Sequence, residues 1–441
     1  MAEIAPLHAL RFDLGRVGNP AAVLAPPYDV ISEPERVALE RGHDHNIVRL
    51  DLPRGEGDEK YAASRALLEG WIKAGVLRED ARRSIYRYEQ TFADPRVTGG
   101  AAPRHVRKGF IALLRLSPFS DRIVLPHEHT LSGPKLDRQK LLRATATQFS
   151  QIFMLYRDPA GQTDRAFAAS EAAPPDLDTV TPDGCRHRLW VVSDPAIIAE
   201  VSVLLANKQV MIADGHHRYE TMVQLRDERR PPGAAPGASA WDWGTVFFAR
   251  AEDPGLLVLP THRLVKNLPK AALAELRTRA APWFEINEGP ESDVASIEAG
   301  LGRRGATRVT LALRQTGRGT TTWFELRPDA DLSSLGPAAL RGLDVTVLHG
   351  LLLGPLLGID REAMAAGALA YTHDTAVALD EIAQGRVQGG FFMNPTRVDQ
   401  VLAACEAGFV LPQKSTYFQP KLATGLVMAR LEPDRAPPRV V

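Results

Sequence analysis

An apolar run from Gln209 to Ala213 stops at Asp214-Gly215, and a helical pattern begins at once, continuing through Met222, Leu225 and Arg226. A strand that passes into a helix through one glycine leaves a chain few choices. The turn gathers the leading backbone N–H groups of the helix and the positive end of its dipole at one point. Such a point favours an anion, phosphate above all. His216, His217 and Arg218 fill the first helical turn and add donors, positive charge and acid–base groups. None of the three is a preferred cap. A purely structural turn with Asp214 capping the helix is the alternative that this string leaves open.

The same alternation of strand and helix runs along the chain and predicts mixed α/β layers, not a bundle or a sandwich. Ser32, followed by Pro34 and Glu35, opens a helix, and Tyr61 to Ala74 forms another that ends at Gly75. Ser84 to Phe92 and Val106 to Leu116 read as paired strands. Leu136 to Ala146 and Pro195 to Ala206 read as helices, Ser150 to Tyr156 and Arg188 to Val192 as strands. Residues 1–30 look loop-rich, with Asn19-Pro20 and Pro26-Pro27 extended. Residues 158–184 read as a polar surface connection and 230–239 as a flexible linker able to support domain motion.

Beyond that linker, Gly244 to Ala249 and Gly255 to Leu259 read as strands, and 269–330 alternates helix and strand up to a hairpin across Thr316 to Thr320. Val345 to Leu357 reads as a buried helix, and strands at Ala368 to Thr372 and Gly389 to Met393 flank a helix from Asp374 to Gln384. Four stretches result: 1–125, a central phosphate-binding unit over 126–229, 240–335 and 336–430.

With 441 residues the chain has room for two to four packed units, and 44% apolar with 24% charged residues is ordinary for a globular protein. Basic and acidic residues balance at 53 each, so no bulk field exists to hold nucleic acid or an anionic membrane. Cys185 and Cys405 are the only cysteines, which excludes a disulfide framework and fits a reducing cytoplasm. No signal peptide is evident. The longest apolar stretch, Val345 to Ile359, is broken by His349, Gly350, Gly354, Pro355 and Gly358 and is too short to span a bilayer. Arginine far exceeds lysine and alanine is abundant, usage that fits a GC-rich bacterial genome.

Four polar clusters stand apart from the core pattern. In Ala25-Pro26-Pro27-Tyr28-Asp29-Val30-Ile31, prolines form a rigid platform for Tyr28 and Asp29. In the run from His127 to Arg138, read as a loop between apolar segments, Glu128 is a candidate base and Lys135 and Arg138 candidate phosphate clamps. His262 and Arg263 follow an apolar strand, where α/β folds bind ligands. Lys414-Ser415-Thr416 resembles the end of a Walker A motif without its glycine spacing, and the alternative is an exposed hairpin with Lys421 a solvated charge. His127, Glu128, His129, His216 and His217 offer a two-metal alternative. Their spacing matches no metalloprotease pattern, and magnesium brought in with a nucleotide fits better.

Taken together these clusters resemble the DUF1015 family, bacterial and archaeal proteins of unknown function. The resemblance rests on Ala25-Pro26-Pro27-Tyr28-Asp29-Val30-Ile31, His45-Asn46, Tyr88-Glu89-Gln90, His127-Glu128-His129-Thr130, Lys135-Leu136-Asp137-Arg138, Ala213 to Glu220, Pro260-Thr261-His262-Arg263 and Pro412 to Phe418. The Gly215-His216-His217-Arg218 turn also looks like the phosphate-binding turn of the ParB/sulfiredoxin-like superfamily, which includes free-serine kinases. In sulfiredoxins the reactive cysteine stands where this chain has His216, so sulfinic-acid repair is not expected.

The resemblance implies a ParB/sulfiredoxin-like central unit with further α/β layers at both ends. It implies phosphoryl transfer or phosphate-ester hydrolysis on a small hydroxylated metabolite, serine or phosphoserine first, with Mg2+ and ATP or ADP. In that reading Gly215, His216, His217 and Arg218 hold the phosphate. Glu128, Asp214 and His216 are catalytic, and Tyr28, Asp29, Lys135, Arg138, His262, Arg263, Lys414 and Ser415 bind substrate. The alternative is a ParB-like nucleotide-binding switch. Neither nucleic acid nor membrane is expected as a partner.

Overall fold

The computed structural model describes residues 2–97, 102–128, 132–269, 271–431 and 437, without the side chains of 132–134. They gather into two compact units. One comprises residues 1–126, 130–257 and 420–441, the other 127–129 and 258–419.

The first unit is built on nine strands: β1 (Ile4–Ala5), β2 (Ile85–Ala93), β3 (Arg104–Arg115), β4 (Val124–Leu125), β5 (Ile152–Tyr156), β6 (Leu177–Val180), β7 (Arg186–Val192), β8 (Val210–Asp214) and β9 (Trp243–Arg250). They pair in the order β4-β8-β5-β9-β3-β2-β7-β6, with β1 against β3. The β4–β8 and β5–β9 pairs are parallel and the rest antiparallel. The central strands are buried on both faces, which is why β5 and β9 read as apolar runs instead of alternating. The sheet draws strands from the first three of the four stretches marked out in the sequence.

Helices α1 (Glu33–Gly42), α2 (Glu59–Lys73), α3 (Ser132–Thr145), α4 (Gln162–Glu171), α5 (Pro195–Ala206) and α6 (His216–Arg229) complete this unit. Phe167 of α4, Ile198, Val201 and Leu205 of α5, and Tyr219, Met222 and Leu225 of α6 close one core with Phe110, Met154, Ile212 and Phe248 of the sheet. A second core joins Tyr61, Leu68 and Trp71 of α2 and Leu141 of α3 to Leu10, Phe12, Ile47, Leu50 and Met428.

The segment from Pro420 to Leu431 is laced through the first unit. Thr424 N–H bonds Ala25 O at 2.8 Å, Gly425 N–H bonds Phe149 O at 3.1 Å, and Met428 and Leu10 exchange two bonds.

The second unit carries a six-stranded antiparallel sheet of β10 (His262–Val265), β11 (Phe284–Gly289), β12 (Thr310–Gln315), β13 (Thr321–Leu326), β14 (Leu369–Thr372) and β15 (Gly389–Met393), ordered β11-β13-β12-β15-β10-β14. Its helices include α7 (Ala272–Ala280), α8 (Val294–Gly305), α9 (Thr375–Ala383) and α10 (Val398–Glu406). Ile297 and Leu301 of α8 and Ala378 and Ile382 of α9 pack on Leu264, Ala312, Trp323 and Phe392. Gly300 lets α8 ride close over Trp323, since a Cβ there would lie 2.4 Å from the ring.

Mixed α/β layering is the observed architecture. Most predicted elements are present, and the departures have physical causes. Residues 1–30 are ordered: Asn19 caps a short helix, Pro20–Val23, by accepting the Ala21 N–H at 3.0 Å, so Asn19-Pro20 starts a helix instead of extending the chain. Residues 158–184 hold α4 and β6, because Ala166 and Phe167 bury one helical face. Residues 230–239 join α6 to β9 inside one unit, and so do not separate domains. Part of the run from His127 to Arg138 is helix, since α3 starts at Ser132. The buried helix begins at Asp344–Val347 and continues as a π-helical turn over Leu348–Leu353. Among the described residues no helix is long and apolar enough to cross a membrane.

Candidate functional site

β8 ends at Asp214, Gly215 turns the chain at φ 99°, and α6 starts at His216. The pairing of β8 with β5 slips between Ile212 and Asp214. A bulge of this kind re-aims the side chain at the strand end. The N-cap of α6 is Gly215, which has no side chain to cap it, and the first turn holds no acid. Its ladder opens with Tyr219 N–H to Gly215 O at 3.0 Å, so the N–H groups before Tyr219 precede it.

The Asp214 carboxylate turns away from the helix end. One oxygen accepts from Arg218 Nη2 at 2.7 Å and the other from Lys421 Nζ. The structural alternative of an aspartate cap therefore does not hold. Arg218 also donates from Nη1 to Ser150 Oγ at 2.9 Å and Gln151 O at 2.6 Å. A Cβ on residue 215 would lie 3.0 Å from Arg218 Nη2. Glycine is thus required twice, for its left-handed φ and for the guanidinium packed under the turn. Burial raises the Asp214 carboxyl, but Lys421 and Arg218 outweigh it and hold the group well below the usual carboxylate range. Two cations face one anion, which leaves the turn net positive beside the positive end of α6.

Arg138 is tied in the same unit. Its Nη1 donates to Asp51 O at 2.7 Å and Asp51 Oδ1 at 3.0 Å, Nη2 to Asp137 at 2.6 Å, and the guanidinium lies 4.1 Å from the centre of the Tyr28 ring. Burial raises the Asp51 carboxyl. It also raises that of Asp137, but Arg138, Tyr61 and Lys60 bring this group down to about 2. Burial pushes the Tyr28 hydroxyl up to about 12, and Arg218 pulls against it. Asp51, Arg138, Ser150, Arg218 and Thr221 line a cavity of about 40 Å³, room for very few waters. Asp29 is exposed in the turn Tyr28–Val30, Lys135 pairs with Glu220, His216 is buried and His217 half-buried.

Five other sequence candidates lie in the second unit. Arg263 is fully buried and donates to Thr261 O, to Gln413 O at 2.9 Å and to Lys414 O at 3.1 Å. Burial brings its guanidinium down to about 10. Lys414, at φ 58°, donates its backbone N–H to Glu128 Oε2 at 3.1 Å while its side chain stays exposed. The Ser415 hydroxyl donates to Pro412 O. His262 is buried against Thr375 Oγ1 at 3.1 Å, and burial pulls its imidazole down to about 3, so the ring is neutral at physiological pH. Arg263 and Glu128 thus both hold the backbone of the turn that carries Lys414. His129 lies outside the described residues. The structure gathers Tyr28, Asp29, Lys135, Arg138 and Asp214–Arg218 in one unit and Glu128, His262, Arg263, Lys414 and Ser415 in the other.

Sequence reasoning missed Lys421. It is 15% exposed in its side chain and paired, not solvated. Arg107 Nη2 holds Pro420 O at 2.6 Å and Gln90 Nε2 holds Lys421 O at 3.2 Å, which fixes its backbone. Gln90 and Arg107 face each other across β2 and β3, and Arg107 lies 4.7 Å from the Phe153 ring centre. The available signal was a glutamine and an arginine on two neighbouring strands, both of which the fold buries completely. Among the described residues no three His, Cys, Asp or Glu side chains converge as metal ligands. Both cysteines are buried, and burial raises both thiols to about 12.

No curated protein matches the chain. Solved structures do, at low similarity. A conserved hypothetical protein from Pyrococcus furiosus is 13% identical, covers 70% of this chain and 92% of its own, and has a TM-score of 0.36. A free serine kinase in complex with AMP is 12% identical, covers 71% and 90%, and scores 0.36, and a mutant of such a kinase in complex with ADP scores 0.37. SbnI from Staphylococcus aureus with a C-terminal truncation is 12% identical, covers 71% and 86%, and scores 0.34. The family model described as a protein of unknown function, DUF1015, matches residues 4–346, and the chain belongs to that family.

Proposed function

We propose that this protein transfers or hydrolyses a phosphoryl group on a small hydroxylated metabolite, with serine and phosphoserine the first to test. The observation that carries the reading is the start of α6, where the N-cap is a glycine and two cations face one anion. The N–H groups at Gly215 and His216 and the His217 ring bind the phosphate oxygens. Arg218 and Lys421 supply charge from behind the turn, because two Arg218 nitrogens are already spent on Asp214, Ser150 and Gln151. Charge spread over the equatorial oxygens is stabilised this way without any rearrangement.

Asp214 is a poor base when two cations hold its carboxyl so low, and its part is to fix those cations. The proton falls to His216. It gives one to the departing oxygen and is reprotonated by the incoming hydroxyl or water. A nucleotide, ATP or ADP, is the expected phosphoryl partner. Mg2+ would ride on its phosphates, since the described residues form no cage for it. The same weak base also suits a second reading, a nucleotide held as a switch with little turnover.

Phosphorus NMR with magnesium tests the proposal. Free phosphate from phosphoserine alone means a phosphatase, and ATP formed from phosphoserine and ADP means a reversible serine kinase. A folded Arg218→Ala variant should lose turnover. Full activity in that variant removes the reading, no change with phosphoserine in either mixture removes phosphoserine as the substrate, and nucleotide binding without turnover favours the switch.

A further inference from the structure

His187, Gln90 and Arg107 stand in one row across β7, β2 and β3, each the strand partner of the next. All three are buried, as is Tyr88, two residues before Gln90 and so on the same face of β2. Four polar side chains inside a sheet are costly unless each is bonded. Gln90 and Arg107 hold Lys421 O and Pro420 O. Tyr88 holds the same segment two residues further on, where its hydroxyl oxygen accepts the Ala423 N–H.

The Tyr88 hydroxyl then has one proton left to give, and His187 Nδ1 lies 2.6 Å away. Nδ1 must therefore accept. The other ring nitrogen leads to the same assignment. His187 Nε2 is 2.9 Å from Thr181 Oγ1, whose own proton goes to Asp183 Oδ1 at 2.5 Å or to Cys185 O at 3.1 Å, so Nε2 must donate. Burial pulls the imidazole down to about 4, which leaves the ring neutral at neutral pH with a single proton to place. Both neighbours put that proton on Nε2. The hydrogen bonds run one way, from Ala423 N–H through Tyr88, His187 and Thr181 to Asp183, which is exposed in the turn between β6 and β7.

We infer that Tyr88 and His187 are positioning residues for Lys421: this relay pins Ala423, and with it the backbone that brings Lys421 Nζ to Asp214. Every member lies in the first unit. What the placed cation does for phosphate rests on the function proposed above, and the placing itself does not.

Ring nitrogen-15 spectra of the full chain labelled on histidine test the relay in the wild type, with the His187 signals assigned by their absence from His187→Asn. His187 should carry its proton on Nε2, and a protonated Nδ1 at neutral pH overturns the inference. Tyr88→Phe should loosen the Lys421 ion pair, so Lys421→Met should shift the urea midpoint less in that background than in the wild type. Equal shifts would mean that Tyr88 supports the fold alone, and they overturn the positioning. With inorganic phosphate as the probe, Tyr88→Phe and His187→Leu should each weaken binding about fivefold or more, and His187→Asn, which keeps an acceptor for the Tyr88 proton, by less. Leucine and asparagine proving alike at residue 187 overturns the role of His187. A wild type that binds no phosphate removes the anion reading of the turn, while the urea shifts still decide the positioning.

Discussion

Replacing Asp214 by asparagine keeps the shape of the turn and removes the anion between two cations. The Arg218 and Lys421 side chains are only 9% and 15% exposed, so water cannot take over the role of the carboxylate. Breaking a buried pair from one side costs about 3–5 kcal/mol, and the amide oxygen still accepts one hydrogen bond worth about 1 kcal/mol. The expected loss is therefore about 2–4 kcal/mol. Lys421→Met is milder, because Asp214 keeps its 2.7 Å bond to Arg218. It forfeits one charge-assisted hydrogen bond, about 1.5 kcal/mol.

The double variant leaves only Arg218 without its anion, so its loss falls short of the sum by about 1 kcal/mol or more. Urea midpoints at neutral pH measure all four corners of the cycle. The sign with pH follows from the depressed carboxyl. Its folded value lies below the unfolded one, so its contribution is present above the unfolded value and lost as pH falls through the folded one. The gap between wild type and D214N should thus narrow in acid. Lys421→Met proving as damaging as Asp214→Asn, or a gap that does not change in acid, would refute the account of the triad.

Gly215→Ala forces a Cβ to φ 99° and to within 3.0 Å of Arg218, and should cost about 1–3 kcal/mol in thermal or chemical unfolding while weakening phosphate binding at the turn. Arg263→Gln removes the donors that hold Thr261, Gln413 and Lys414, so limited proteolysis should cut near residues 411–416 in the variant and spare the wild type. Burial raises the Asp344 carboxyl to about 7, so the folded state binds its proton more tightly than the unfolded chain does. Stability should decline as pH rises from about 4, the unfolded value, to about 7. Urea midpoints of Asp344→Asn should lack that slope.

Local chemistry was readable where it acts over a few residues. The Ser32–Glu35 capping box, the proline that opens α5 at Pro195 and the glycine after α2 each marked an element end within a residue or two, because caps and positive φ are decided by near neighbours. The turn at Gly215 was readable for the same reason. Errors came where burial overrode composition. The stretch 162–171 is polar on average, yet Ala166 and Phe167 face the core and make it α4. At 230–239 the prolines and glycines suggested freedom, but Gly237 and Ser239 both donate backbone N–H groups to Asp242 and the segment stays within one unit.

The site was legible only in half, and the missing half has a physical reason. Arg218 lies four residues from Asp214, across the Gly215 turn, so its reach to the carboxylate is a local matter of that turn and the first turn of α6. Lys421 lies 207 residues further on, and no period or cap links it to the turn. What brings it there is the backbone of Pro420 and Lys421, held by Arg107 and Gln90 from the middle of the sheet. Both holders are polar residues at positions where β2 and β3 bury their side chains. A buried arginine in an apolar strand is expensive unless it holds something in place. In this chain it holds the segment that makes the Gly215 turn net positive, so, if the proposed function holds, Arg107→Leu should weaken anion binding at Asp214–Arg218 although Arg107 is not among the residues that form the turn.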